Sequence, residues 1–276
     1  MKVTGLSPLV LAAMILGFVF LYAPIVMLVI FSFNASRLVT VWAGFSTQWY
    51  ATLLTDDQVL GAAYLSFKIA FMNATLSVIL GTLAAVALVR FGRFWGRSIL
   101  IQSVSSRLVL PDVILGLSIL LLFVSMQSLI GWPTQRGFMT ILIAHVTFSS
   151  AYVAIVVQSR LAGLDRSFEE AAFDLGASPF AVFRTVTLPL IAPALVAGWL
   201  LAFILSFDDL VIASFASGPS ATTLPMVIFS KVRFGITPEI NALATIIVVA
   251  VAIGVVFAGN LLQRQNAQRL KEAGRG

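Results

Sequence analysis

The chain has 276 residues, 60% hydrophobic and only 10% charged, with a formal net charge of +6 at pH 7 and a mean hydropathy of +1.04. An ordinary soluble domain carries roughly 25% charged residues, so this composition excludes a soluble globular protein and points to a membrane protein. Cysteine is absent, which excludes a disulfide framework, a thiolate metal site and a cysteine nucleophile and leaves the redox compartment open.

Charge-free runs mark the membrane spans, because about 18 or more apolar residues suffice to cross a hydrocarbon core roughly 30 Å thick. The first run, residues 3–36, follows Lys2. It outlasts the h-region of a signal peptide and is read as an uncleaved helix over about residues 8–33. Further runs at 69–89, 137–159, 185–207 and 240–263 predict helices over about 62–90, 138–161, 187–213 and 240–263. Between them, a helix over about 99–125 contains Arg107 and Asp112. Each span must be helical, since in lipid the backbone groups have to be satisfied within the segment or in a closed barrel. These runs are too long and too evenly apolar for the alternating strands of a barrel. The expected fold class is therefore an all-α membrane protein with six transmembrane helices in a single domain over residues 1–276.

Lysine and arginine set the orientation. With both termini inside, Lys2, Arg90, Arg93, Arg97, Arg160, Arg166, Arg184, Arg264, Arg269, Lys271 and Arg275 are cytoplasmic, against Arg37, Arg136, Lys231 and Arg233 outside. The positive net charge is then a matter of topology and the anionic inner leaflet, and nucleic acid needs no part in it. The segment 164–187 becomes the cytoplasmic loop between the fourth and fifth helices.

That loop interrupts an apolar chain with Asp165, Glu169, Glu170 and Asp174. Ser167 and Glu170 have the spacing of a capping box, which predicts a helix start at Ser167. Phe168, Ala171, Ala172 and Leu175 form one apolar stripe, and Gly176 supplies the left-handed residue that ends the helix. Ser178-Pro179 starts a second helix as N-cap and first helical residue. Helices this short are marginal alone in water. Their apolar residues must be covered, and local physics leaves open whether the bundle or a partner covers them.

Glu170-Ala171-Ala172, Gly176, Val186 and Leu188-Pro189 stand at the spacing of the EAA loop, which the segment resembles; Val186 replaces the usual isoleucine. This loop belongs to the membrane subunits of bacterial ABC importers. The resemblance implies a type I ABC importer permease fold, with cytoplasmic coupling helices seated on a separate ATPase. The chain contains no Gly-Lys dipeptide and so no Walker A loop. No cofactor is expected on it, ATP and Mg residing on the partner ATPase.

The stretches "FLYAPIVMLVIFSFN" (20–34), "VWAGFSTQWY" (41–50), "LPDVILGLSILLLF" (110–123), "LAFILSFDDLVIASF" (201–215) and "TTLPMVIFSKVRFGITPEINALAT" (222–245) extend the resemblance along nearly the whole chain. They are similar to the second permease of polyamine importers, the putrescine type above the spermidine-preferring one. The resemblance implies an inner-membrane, non-enzymatic subunit. Its partners would be a similar permease, two ATP-binding subunits and a periplasmic binding protein.

A polyamine is an apolar chain carrying ammonium charges, so its path calls for spaced carboxylates and apolar or aromatic walls. Asp112, Asp208 and Asp209 are the candidates, since intramembrane carboxylates are costly and carry a functional hypothesis by default. Asp208 and Asp209 point about 100° apart on a continuous helix, so they are not expected both to face one lumen squarely, and one of them is free to cap an interrupted helix or pair with the partner subunit. Arg107 is five residues from Asp112, off its helical face, and is expected to snorkel inward rather than pair. Trp199, with Phe203 and Phe207, forms an aromatic stripe with two readings: helix packing, the simpler, and cation–π guidance of an amine. Trp199 joins the aspartates as a pathway candidate.

Ser77, Gly81 and Ala85 make a small-residue face suited to close helix contact. Pro189 and Pro193 permit a bend at the start of the fifth helix. His145, the sole histidine, is expected to be a hydrogen-bonded helix residue. Residues 216–239 are expected to fold over the outer surface. A secondary transporter would show matching repeats in its two halves, which this sequence lacks, and an intramembrane enzyme would need a set of catalytic groups that no motif identifies.

Overall fold

The computed structural model describes residues 7–38, 41–235 and 237–253. All the elements named below are helices, and an isolated β-bridge pairs Asn34 with Phe45. In chain order they are α1 (Pro8–Phe31), α2 (Gln48–Leu54), α3 (Asp57–Arg90), α4 (Arg97–Ser106), α5 (Asp112–Ile130), α6 (Phe138–Ala162), α7 (Ser167–Asp174) and α8 (Pro179–Val182). A π-helical turn, Phe183–Thr187, leads into α9 (Leu188–Phe207), followed by α10 (Val211–Ala216), α11 (Leu224–Phe234) and α12 (Pro238–Ile253).

Among the described residues, five helices are long and apolar enough to cross a membrane: α1, α3, α5, α6 and the run Pro179–Phe207. The sixth expected span, 240–263, is represented by α12 up to Ile253, and its remainder lies outside the described residues.

Two of the expected spans are broken. The helix expected over 99–125 is two helices, because Pro111 has no N–H to donate and its ring clashes with the carbonyl four residues back. α4 ends at Ser106, a tight turn follows, and Pro111 becomes the N-cap of α5. The helix expected over 187–213 stops at Phe207 and restarts as α10 at Val211.

The chain divides into two compact units, residues 1–60 with 228–276, and residues 61–227. In the first, buried Asn34 organises the segment after α1. Its Nδ2 donates to the carbonyl of Val41 at 2.7 Å, its Oδ1 accepts from the N–H of Ala43 at 2.9 Å, and its own carbonyl accepts from Trp49 Nε1 at 2.7 Å. Lys231 pairs with Asp56 at 2.7 Å and with Glu239 at 3.7 Å. The hydrogen bond from Lys231 holds the Asp56 carboxyl below its ordinary value.

The second unit is built on α3, α6 and α9. The small-residue face meets α6 as expected: a Cβ on Gly81 would lie 2.7 Å from the Cβ of Val153 and 2.8 Å from the carbonyl oxygen of Ser150, and Ser77 and Ala85 are fully buried. Asn73, also fully buried, donates to Ser149 Oγ on α6 at 3.0 Å and to the carbonyl of Ala202 on α9 at 2.9 Å, while accepting from Ser77. Ile69, Ile119, Phe123, Ile141, Ile212 and Ala213 form one apolar core, and Val153, Val157, Leu161, Ile191 and Ala202 a second.

Candidate functional site

Both helix breaks of the second unit open onto one cavity of about 340 Å³. Its walls include Arg107, Asp112, His145, Phe148, Tyr152, Asp208 and Asp209. All three aspartates singled out in the sequence therefore reach the same space, Asp208 and Asp209 together, contrary to expectation, because the helix has ended at Phe207 and they are not on a continuous helix. Trp199 does not line it: its indole donates to Thr75 at 3.2 Å and stacks on Phe203, with Phe71 edge-on, as a helix-packing residue between α3 and α9.

The sequence reading set Arg107 and Asp112 apart on a continuous helix, and the structure corrects this. With the helix broken between them, Arg107 Nη1 donates to Asp112 Oδ1 at 2.7 Å. The guanidinium carbon also lies 5.0 Å from the centre of the Phe148 ring and 5.5 Å from that of Tyr152, within cation–π range.

Asp209 caps the interrupted helix. Its carboxylate accepts from the N–H groups of Ile212 and Ala213, the latter at 2.6 Å. Its Oδ2 lies 3.1 Å from His145 Nε2, and His145 Nδ1 lies 2.7 Å from Ser206 Oγ. His145 is thus the hydrogen-bonded helix residue expected. Sequence reasoning missed its partners, which are 61 and 64 residues away. A Ser–His–Asp row of this kind has the residue types of a hydrolase triad, but Ser206 is buried and does not line the cavity. Its hydroxyl is a packing contact. Asp208, at the end of α9, is exposed on the cavity wall.

In the cavity, three carboxylates face one guanidinium, leaving two formal negative charges in excess between aromatic and apolar walls. That is the chemistry for holding an organic dication. Among the described residues, no group of three or more His, Cys, Asp or Glu side chains is placed to hold a metal ion.

The second candidate region is the segment 164–187. α7 begins as expected at Ser167, but by a different device. The Ser167–Glu170 capping box is not formed; Asp165 Oδ1 accepts the N–H of Ser167 at 3.0 Å. That bond, with a second from the Ser167 hydroxyl, lowers the Asp165 carboxyl from its ordinary value.

At its end, Gly176 has φ +84°, the N–H of Gly176 bonds to Phe173 O and that of Ala177 to Ala172 O. This is a Schellman motif. Ser178 then caps α8 through the N–H of Ala181, with Pro179 at the first helical position.

The residue that anchors the segment is Glu169, which the motif reading passed over for its neighbour. Its carboxylate meets Arg90, with Nη2–Oε1 at 3.2 Å and Nε–Oε2 at 2.9 Å, and accepts from Thr187 Oγ1 at 2.7 Å. Arg166 adds a bond to the carbonyl of Val89 at 3.1 Å. The end of α3 and the π-helical turn are thereby fastened to α7. Leu188 and Pro189 open α9 just beyond that turn, with Val186 inside it.

Glu170 lines an apolar hollow of about 510 Å³ together with Leu83, Phe173 and Phe180. No residue of α7 is buried; Leu175 is 90% exposed and Phe180 72%. The apolar stripe of α7 therefore faces outward.

Residues 77–272 match the family model described as binding-protein-dependent transport system inner membrane component. The chain is 59% identical over 266 residues to the putrescine transport system permease protein PotI of Escherichia coli (strain K12), covering 96% of this chain and 95% of that protein. It is 42% identical over 251 residues to the spermidine/putrescine transport system permease protein PotC of the same strain, covering 91% and 92%. Its fold is similar to that of a bacterial ABC transporter involved in the import of the acidic polysaccharide alginate, with TM-score 0.72, 15% identity and coverage of 93% of this chain and 94% of that one.

Proposed function

Since the chain belongs to the binding-protein-dependent transport system inner membrane component family, we propose that it is one of two permease subunits of an ATP-driven importer of putrescine. The observation that carries the reading is the outward-facing apolar surface of α7 and α8, fastened to the bundle at Glu169 and left uncovered at Leu175 and Phe180. An uncovered apolar stripe on a short helix calls for a partner, and in this family the partner is an ATPase.

In this reading the whole chain is one permease domain of six spanning helices with both termini cytoplasmic. The segment 164–187 forms the coupling helices, with Glu170, Ala171, Ala172, Gly176, Val186, Leu188 and Pro189 transmitting the motion. A second, similar permease completes the pore, two cytoplasmic subunits bind ATP and Mg, and a periplasmic protein delivers the amine. ATP binding closes the ATPases, moves the coupling helices and turns the pore outward. The amine then passes by Asp112, Asp208 and Asp209, whose excess of two negative charges over Arg107 matches a diammonium chain. This chain itself supplies a path and a lever and makes no bonds.

The test is uptake of labelled putrescine and spermidine at low concentration in cells with and without the chain. Selective loss of putrescine uptake is the expected result. Loss of spermidine uptake would move the assignment to the sibling system, and loss of neither would remove polyamines from it.

A further inference from the structure

Arg107 is hard to explain as a structural residue. It brings a positive charge into a cavity proposed to pass cations. Its side chain is mostly buried, yet among the described residues its guanidinium makes a single hydrogen bond, to Asp112, and its buried Nε has no hydrogen-bond partner. What surrounds it instead is a cation-binding arrangement: a carboxylate at 2.7 Å and two aromatic faces at 5.0 and 5.5 Å. Those are the groups that recognise an alkylammonium. A guanidinium is planar and weakly hydrated, and suits such a place.

We infer that Arg107 is a tethered stand-in for one ammonium of the substrate, occupying the Asp112–Phe148–Tyr152 site when the path is empty and yielding it when an amine arrives. The inference rests on the reading of the cavity as the amine's path. While the site is empty, the tethered cation is the partner of Asp112, whose side chain is 53% exposed and so open to an incoming cation. When an amine enters, exchange of one cation for another conserves the charge of the site. The affinity of the empty site for substrate is lowered by the fraction of time that Arg107 occupies it. A transporter needs such a limit, because an amine held too firmly would not leave.

The test measures binding of labelled putrescine to the assembled importer in membrane vesicles, without ATP and without the periplasmic protein, alongside uptake. Removing the charge in Arg107→Gln or Arg107→Met should tighten binding about tenfold, the value for a site occupied roughly nine-tenths of the time. Arg107→Lys, which keeps a cation, should stay near the parent. In Arg107→Gln with Asp112→Asn the gain should vanish. Unchanged or weakened binding in both uncharged variants overturns the inference. So does a failure of both to assemble while Arg107→Lys assembles, which would mark a structural role. Asp112→Asn and Asp208→Asn separate the two readings. If neither alters binding or uptake, the cavity is not the path and both fall; if they weaken binding while the uncharged variants do not tighten it, only the role of Arg107 falls.

Discussion

The cavity and the segment 164–187 are both places where a helix is interrupted, and they resolve the interruption in opposite senses. At the cavity, the breaks at 107–111 and 208–210 turn polar groups inward. Asp209 takes up the free N–H groups of α10, and Asp112 takes up Arg107. At the segment 164–187, the polar groups form the inner fastening and the apolar side chains are turned outward. Surroundings explain the inversion. Within a hydrocarbon layer, irregular backbone is tolerated only where it lies inside protein or lines a cavity. Beside water, by contrast, carboxylates and turns cost little, and an uncovered apolar stripe is the exception that asks for a partner. The carboxylates of the two regions accordingly sit differently, lining a cavity in one and fastening a helix to the bundle in the other.

Breaking the fastening should have the largest effect. Glu169→Ala leaves Arg90 partly buried without its counter-charge, a loss of about 3 kcal/mol or more. Uptake should fall about tenfold or more through loss of this fastening, with little change in the amount of inserted chain. Glu169→Ala at parental uptake would show that Arg90 and Thr187 do not transmit anything.

Next, Leu175→Asp with Phe180→Asp should reduce copurification of the ATPase about tenfold or more, as expected for removing central apolar contacts, while amine binding to the membrane subunits persists. Asp208→Asn should do the reverse, weakening transport with ATPase association intact. If the two sets of variants gave the same pattern, the contrast between the regions would fail.

A smaller effect is expected at Asp209→Ala, which strips the cap from α10 and a partner from His145. About 1–2 kcal/mol of stability should be lost, read as a lower unfolding temperature in detergent. Smallest is the pH response of the loop. The Asp165 carboxyl is lowered in the folded chain, so its contribution is present above the ordinary value of 3.8 and disappears as pH falls through the lowered one. Asp165→Asn should flatten the acid limb of a loop-proteolysis profile slightly, and a steeper limb would contradict the capping geometry.

Much of this was legible in the residues themselves. Gly176, Ser178-Pro179 and the face of Ser77, Gly81 and Ala85 each encode their structure through local sterics, and the structure has them as expected. Two errors have different sources: hydropathy outranked chemistry in the first, and local spacing outranked tertiary pairing in the second. Pro111 stood in plain view within the span 99–125, yet the apolar run suggested a continuous helix and therefore separated Arg107 from Asp112. In the segment 164–187, the box spacing suggested Ser167 and Glu170, whereas the structure uses Asp165 and Glu169. Side chains that bond locally can be displaced by ones with better tertiary partners, and Arg90 lies 79 residues from Glu169. The partners of His145 were illegible for the same reason: a sequence names a buried polar residue without naming what it meets.

Asn73 carries a mechanical consequence. A single amide group is pinned to α6 through Ser149 and to α9 through Ala202, within its own helix α3. Parting any two of these helices would strand an amide hydrogen in a medium with no water to receive it, at a cost of several kcal/mol. The three rods are thus welded at one node, and under the function proposed above a push at the segment 164–187 would pass through them as through a strut to the unwelded joints where the helices are already cut.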